Sequence, residues 1–375
     1  MEGTDDAVTP HVGASINYGR GMSRPHAAAL IEDAWNSRMN RVLAGQGWTP
    51  RAVGNTGYGS PDFVRVLGRV LLSRHPEEVT SEPPEEPRGA DVTLEPEQKV
   101  RGWRAFMTAQ LMNAPVVIDI AGRRHETHSD RSGYVDLTVE GHDLPPGWHD
   151  VTITPVGGIS DTAKVMIVDP SVRFGLVSDI DDTVITTSLP RPLIAAYNTF
   201  VLTEQARHIV PGMAPMYREL LDDHPGAPIF YLSTGAWNTA DTLNRFLRRH
   251  GYPAGPLLLT DWGPTNTGWF RSGQQHKRVS LHRLAREFPQ IQWVLIGDDG
   301  QHDPKIYGDF ARDRPDVVRA IGIRELTTTE QVLSHGLPVS IEGFTPRVRR
   351  PVPVLRAPDG YGLLRQLRAL LAQQG

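Results

Sequence analysis

From residue 172 to 326 the sequence alternates short, continuous apolar runs with segments of helical period, and this alternation constrains the fold more than any other feature. "VRFGLVS", "APIFYLST", "GPLLLTDW", "IQWVLIGDDG" and "DVVRAIGIRE" read as buried strands. "PLIAAYNTFVLTEQARHIV", "PGMAPMYRELLDDH", "WNTADTLNRFLRRHG", "QHKRVSLHRLAREFP" and "DPKIYGDFARD" read as the helical segments between them. Strands that are apolar throughout and alternate with helices argue a parallel sheet covered on both faces. In such α/β sheets ligands collect outside the carboxyl ends of the strands.

Those ends carry a set of polar residues. The first strand runs into Asp179, Asp181, Asp182 and Thr183, and the strand "APIFYL" into Ser233, Thr234 and Gly235. The strand "IQWVLI" gives way to Gly297, Asp298 and Asp299, with Asp303 a turn later, and Lys277 stands at the start of the helix before it. All four groups fall on one rim of the sheet. Three carboxylates within residues 179–182 repel one another, so their pKa values must rise unless a cation neutralises them. The residue types suit phosphoryl transfer. An aspartate can attack phosphorus, and a second carboxylate two residues on can protonate the leaving group and then deprotonate water. Hydroxyls and backbone N–H groups hold phosphoryl oxygens, a lysine balances their charge, and Mg²⁺ takes hard oxygen ligands. Lysine is confined to Lys99, Lys164, Lys277 and Lys305, so a lysine on this rim stands out in a chain that otherwise uses arginine.

In that order, "DIDDT", "ST" after a strand, a lone lysine and "GDDGQHD" resemble the four motifs of the haloacid dehalogenase superfamily of phosphatases. More narrowly, "SDIDDTVITT", "FYLSTGAWN", "GQQHKRVSLHRLAREFP" and "VLIGDDGQHDPKIYGDFA" are similar to the actin-patch-protein type of phosphatidate phosphatase, whose catalytic domain is related to that of lipin. The resemblance covers roughly 172–326, and "GYGSPDFVRVLGRVLL" ahead of it looks like the family's bacterial members. It implies Asp179 as nucleophile, Asp181 as general acid and base, and Lys277 as the charge-balancing cation. It makes Ser233 the phosphate-binding hydroxyl, with Thr183, Thr234 and Gly235 beside it. Mg²⁺ is expected at Asp179, Asp298 and Asp303, joined by the backbone carbonyl of Asp181. The second carboxylate of the fourth motif is either Asp299 or Asp303, and the family spacing GDxxxxDP favours Asp303. Asp182 reads as a loop-stabilising residue, Trp237 as a helix-start packing residue, and His276 and His302 as solvated loop histidines; Arg324 closes the last strand without an assigned role.

Ahead of this domain the period is two. "FVRVLGRVLL" (63–72), "WRAFMTAQL", "APVVIDIAG", "GYVDLTVEG", "WHDVTITPV" and "DTAKVMIVD" read as about six short strands, enough for a small all-β sandwich of immunoglobulin-like type. His125, His128, His142 and His149 lie among them without metal-ligand spacing and read as surface or loop residues. The expected organisation is an N-terminal helix and loop over 1–62, with Ile31, Trp35, Met39 and Leu43 in one helical stripe; the sandwich over 63–170, with an exposed Pro/Glu-rich loop at 75–91; a Rossmann-like haloacid dehalogenase domain over 171–326; and a C-terminal extension over 327–375. Residues 47–62 look turn-rich. The spans between the motifs are too short for a large lid domain, so only a minimal cap is expected, and an open site suits a phosphate on a bulky group.

Composition narrows the rest. The chain has no cysteine, which excludes disulfides, thiolate metal sites and a cysteine nucleophile. A formal net charge of −4 does not suggest a nucleic-acid partner. No apolar run reaches a membrane span and the acidic start lacks a secretory h-region, so a cytoplasmic protein is expected, with contact at the inner membrane face left open. The final helix places Leu363, Leu364, Leu367, Leu370 and Leu371 on one face. That face is either an interfacial anchor for anionic bilayers or a face packed on the protein itself. The expected activity is a Mg²⁺-dependent phosphomonoesterase working through an aspartyl-phosphate, with phosphatidate as substrate. The alternatives are a phosphatase of phosphoproteins or soluble metabolites and a non-catalytic phosphatidate-binding module.

Overall fold

The computed structural model of the chain describes residues 48–73, 109–187, 207–260, 273–300, 302–327 and 352–374. The helix expected at 24–44, the stretch 75–91 and most of the helical run following the first acidic motif lie outside the described residues.

The first part is all β: β1 (Thr49–Ser60), β2 (Phe63–Ser73), β3 (Ala109–Gln110), β4 (Pro115–Ile120), β5 (Arg123–His128), β6 (Tyr134–Glu140), β7 (Gly147–Pro155) and β8 (Asp161–Ile167). Hydrogen bonding runs β3-β2-β1-β8-β7-β4-β5, with β6 also on β2. Strand β1 is antiparallel to β2 and parallel to β8, and so joins the two halves of this network. Val64, Val66 and Val70 of one half share a core with Val116, Ile118, Ile153 and Val165 of the other.

Three local features differ from the sequence reading. Residues 49–60 are a strand, not a run of turns: a Cβ at Gly57 would sit 2.3 Å from the Arg65 carbonyl oxygen, so this glycine marks a close backbone approach beside the β1 bulge. Strand β5, "RRHETH", has no apolar alternation because among the described residues it is an edge strand paired only with β4. His142 is buried rather than superficial. Its Nδ1 accepts the Leu144 N–H at 3.0 Å, which leaves Nε2 to donate to the Ser60 carbonyl at 2.8 Å and tie the β1–β2 turn.

The α/β part follows as β9 (Phe174–Ser178), β10 (Ile185–Thr187), β11 (Arg207–Ile209), α1 (Met213–Asp222), β12 (Ile229–Ala236), α2 (Ala240–Arg249), β13 (Leu257–Thr260), α3 (Gly273–Glu287), β14 (Gln292–Asp298), α4 (Asp303–Asp313), β15 (Val318–Arg324), β16 (Val354–Ala357) and α5 (Gly360–Gln374). Strands β10 and β11 form a small antiparallel pair, and a parallel sheet takes the order β13-β12-β9-β14-β15-β16. The chain builds outward from β9 in one direction and then restarts beside it with β14. The strand order therefore reverses between β9 and β14, which is where such sheets open a crevice.

Both faces are covered. Leu176 and Val294 pack with Met213 of α1, Phe246 of α2 and Leu363 of α5, whereas Val177 and Leu295 pack with Leu284 of α3 and Phe310 of α4. This is why the strands carry no polar alternation. The sixth strand and α5 come from the expected C-terminal extension, and Leu363, Leu364 and Leu367 are buried in the core. No helix among the described residues is long and apolar enough to cross a membrane.

The two parts share apolar contacts. Tyr58 of β1 is 1% exposed, meets Phe230 edge-on at 4.9 Å, and donates its hydroxyl to Glu287 at 2.8 Å. Val168 belongs to the same cluster, so the connection between the parts is packed against the sheet.

Candidate active site

Strand β9 carries the chain to the rim and holds its last residues tightly. The Asp179 N–H donates to the Ile296 carbonyl of β14 at 2.9 Å. Beyond it the chain turns back at once: Val184 and Ile185 both donate to the Ile180 carbonyl, and Asp182 adopts a left-handed φ of 58°, a conformation that the short polar aspartate tolerates better than most residues. The Asp182 N–H donates to Ile185 at 2.8 Å, and its carbonyl accepts from Arg324 Nη1 at 2.7 Å. Asp182 thus shapes the loop through its backbone, and the buried Arg324 at the end of β15 holds that loop.

Lys277 lies at the centre. Its Nζ donates to Asp179 Oδ1 and to Asp303 Oδ1, each at 2.6 Å. Exposures of 2% for Asp179, 4% for Lys277, and 1% for both Asp298 and Asp303 seal the group from water. Burial pushes the Asp179 carboxyl well above its ordinary range, opposed by Lys277 and reinforced by Asp303 and Asp181. Burial likewise pushes Asp298 well up, reinforced by Asp303 and Asp179. For Lys277 burial works against the charge, but Asp179 and Asp303 outweigh it and keep the ammonium protonated.

One lysine faces three carboxylates, each offering an oxygen within 4.8 Å of the others'. Asp303 Oδ2 is buried with no hydrogen-bond partner among the described residues, and it lies where a Cβ on Gly297 would come within 2.5 Å. The side-chain donors are all hard oxygens and the local charge is negative, which fits a divalent cation that takes oxygen ligands.

Asp181 stands apart from that cluster. It is half-buried, and its Oδ2 accepts the Ser233 hydroxyl at 2.9 Å. The Gly235 N–H donates to Ser233 Oγ at 2.9 Å, so Ser233 bridges the β9 loop and the β12 loop. Thr183 is buried with Oγ1 3.5 Å from Asp179 Oδ2. Thr234 has an exposed side chain, and its carbonyl, with that of Gly235, accepts from Thr260 Oγ1 at 2.9 and 3.2 Å. Asp299 is turned away from the cluster: its Oδ1 accepts the Leu326 N–H at 2.8 Å. His276 has its Nε2 3.1 Å from the Leu258 carbonyl, a structural contact rather than a solvated one, and His302 is exposed ahead of α4.

Sequence reasoning missed Ser178 and Tyr217. The Ser178 hydroxyl donates to the Asp179 carbonyl at 2.7 Å and lies 2.6 Å from the Tyr217 hydroxyl, which must then be the donor between them. Burial raises the Tyr217 phenol well above its usual value, so it keeps its proton and the chain of bonds fixes the backbone that presents Asp179. In sequence Tyr217 carries only a core-helix pattern, and nothing in that pattern points to the rim.

Residues 174–325 match the family model described as phosphatidate phosphatase APP1, catalytic domain. The phosphatidate phosphatase APP1 of Saccharomyces cerevisiae is 25% identical over 234 residues, covering 59% of this chain and 39% of that protein. An uncharacterized protein of Schizosaccharomyces pombe is 26% identical over 152 residues, covering 40% of this chain and 25% of that one. The chain thus spans well under half the length of the curated relatives it matches. Among solved structures, an uncharacterized protein from Listeria monocytogenes serotype 4b overlaps at TM-score 0.33 and 14% identity, covering 53% of this chain and 99% of that chain. The HAD domain of effector protein Lem4 from Legionella pneumophila overlaps at TM-score 0.29 and 14% identity, covering 42% of this chain and 87% of that one. At those scores neither overlap bears on the fold.

Proposed function

We propose that this chain, whose residues 174–325 are a catalytic domain of the phosphatidate phosphatase APP1 type, is a Mg²⁺-dependent phosphomonoesterase that cleaves phosphatidate to diacylglycerol. The observation that carries the reading is the buried Lys277 bridging Asp179 and Asp303 beside Asp298, at the crevice where the strand order reverses. Lys277 ties down Oδ1 of Asp179, while among the described residues Oδ2 meets only the long Thr183 contact; Oδ2 is the oxygen left to attack.

Attack by that oxygen on phosphorus forms an aspartyl-phosphate as the ester P–O bond breaks. Asp181 gives a proton to the departing alkoxide, then takes one from the water that attacks the aspartyl-phosphate, and Asp179 is regenerated with release of phosphate. Without substrate the Ser233 hydroxyl is given to Asp181 and the Gly235 N–H to Ser233 Oγ; with substrate bound both donors would turn to the phosphoryl oxygens, and Lys277 would offset the charge that develops there. Asp179, Asp298 and Asp303 would hold the metal ion with the Asp181 backbone carbonyl, and the ion would supply Lewis-acid stabilisation of phosphoryl charge.

In the same reading the all-β part is an immunoglobulin-like sandwich, supported by a core shared between its two halves and by the parallel β1–β8 contact that closes them. A phosphate-release screen of the full chain, with Mg²⁺ and with chelator, tests the function. It should include phosphatidate in micelles, a phosphopeptide and soluble phosphate esters. Metal-dependent release from phosphatidate is expected. Release confined to the phosphopeptide or the soluble esters overturns the lipid assignment, and no release from any substrate overturns the enzyme.

A further inference from the structure

Trp237 sits where β12 gives way to α2, directly after the segment that carries Ser233, Thr234 and Gly235. Its indole stacks on Tyr134 of the all-β part, with centroids 4.2 Å apart and planes 27° from parallel. Both side chains are buried, as is Arg69 of β2, whose Nη1 reaches the Trp237 carbonyl at 3.5 Å. Tyr134 and Leu67 belong to the same apolar cluster as Trp237, Leu243 and Met213, so the α/β core crosses into the β part at this point.

From Trp237 the bonding leads back to the rim. The Thr239 hydroxyl donates to the Ala236 carbonyl at 2.7 Å, the Gly235 N–H to Ser233 Oγ, and Ser233 Oγ to Asp181. On its other side the segment is held by Thr260, which bonds the carbonyls of Thr234 and Gly235. One brace therefore comes from the neighbouring strand of the same sheet and the other from the all-β part.

We propose that Tyr134, together with Arg69, is a positioning residue: through Trp237 it sets the Ser233–Gly235 segment and couples the all-β part to phosphate binding. The coupling to phosphate rests on the function proposed above; the brace itself rests on the contacts alone. A misplacement of about 1 Å away from the reacting atoms costs on the order of 100-fold in rate, so a stacked ring at the end of the segment is enough to matter.

The test uses the full chain and three variants. Tyr134→Leu keeps an apolar side chain and removes the stack, Tyr134→Phe keeps the ring, and Val116→Ala perturbs the separate core of the all-β part. Amide hydrogen exchange across residues 233–239 is expected to be about tenfold faster in Tyr134→Leu and close to wild type in the other two. For Mg²⁺-supported hydrolysis of an aryl phosphate, kcat/KM is expected to fall about tenfold in Tyr134→Leu, mainly through KM, and to return in Tyr134→Phe. Unchanged exchange in Tyr134→Leu, or equal acceleration in Val116→Ala, overturns the brace. Faster exchange with unaltered kcat/KM overturns the coupling to phosphate. Faster exchange in a protein whose wild type neither hydrolyses the ester nor binds inorganic phosphate leaves the brace standing and overturns the proposed function instead.

Discussion

Lys277 and Asp179 meet at 2.6 Å inside a site that both side chains enter almost without solvent contact. The distance from the start of α3 to the end of β9 is closed by the sheet: α3 packs beneath Val177 and Leu295, so its first turns are held at the carboxyl ends of the strands. Removing one partner of a buried pair typically costs about 3–5 kcal/mol, so each substitution below is paired with a measure of folding.

Asp179→Asn is expected to abolish turnover in a folded protein. The amide nearly matches the carboxylate in shape, and Lys277 retains Asp303 as an anionic partner. Loss of a covalent nucleophile costs several orders of magnitude in rate, or more than about 4 kcal/mol of barrier. Phosphate release and circular dichroism measure the two halves of the statement, and beryllium fluoride should fail to trap the variant. Full activity in Asp179→Asn removes Asp179 from the nucleophile's role.

Lys277→Arg is expected to lower activity at least about tenfold, because a planar guanidinium cannot occupy the point at which a compact ammonium meets two carboxylates. A melting curve accompanies the assay. An unchanged rate would show that the site needs only a positive charge.

The rim of this sheet is legible in the sequence because each polar group follows directly on an apolar strand: Asp179 after "FGLVS", Ser233 after "IFYL", Asp298 after "VLIG". Local order along the chain is then enough to place them together once the sheet is parallel. The parts that escape reading depend on residues distant in sequence. Strand β1 hides behind glycines that serve close packing, and the polar edge strand β5 lacks the apolar alternation that marks β6, β7 and β8. Tyr217 reaches Ser178 across the sheet face, and Tyr134 reaches Trp237 across the boundary between the two parts. No periodicity encodes such pairs. Asp299 and Asp303 show the same limit: the spacing admits both, and the fold gives one to the cluster and the other to the Leu326 N–H.

Gly297→Ala is expected to damage the site without replacing a titratable group. The added Cβ would stand 2.5 Å from Asp303 Oδ2 and 2.7 Å from the Tyr307 ring, so the carboxylate or the helix that carries it must shift. Overpacking of this kind costs about 1–3 kcal/mol. Thermal denaturation should show the loss, and phosphate release should fall further than stability accounts for at the assay temperature. Wild-type values for both would mean that Asp303 moves freely.

Mg²⁺ is expected to raise the melting temperature of the wild type and chelator to reverse the effect, since a ligand at about 100 times its dissociation constant stabilises the native state by about 2.7 kcal/mol. Asp298→Asn should remove most of that shift, because Asp298 contributes a nearly fully buried carboxylate to the cluster. Asp299→Asn, whose side chain is engaged with the Leu326 N–H, should keep it. A shift that survives in Asp298→Asn places the ion elsewhere.

The C-terminal helix provides the last prediction. Leu363 and Leu367 are 0% exposed in the core against α1, and Arg368 pairs with Glu219 and Asp223 of that region. The N-terminal end of α5 is held as closely: the Gly360 N–H donates to the Pro211 carbonyl at 2.9 Å, and a Cβ at Gly360 would meet the Gly212 backbone at 2.2 Å. For these leucines to enter a bilayer the helix would have to leave the core. Leu363→Ala is therefore expected to destabilise the protein by about 2–5 kcal/mol, the usual cost of emptying a buried leucine site. Sedimentation of the folded variant with phosphatidate vesicles should match that of wild type. A variant that keeps the wild-type melting temperature but loses vesicle binding would reverse the assignment, and make the leucine face a membrane anchor rather than part of the core.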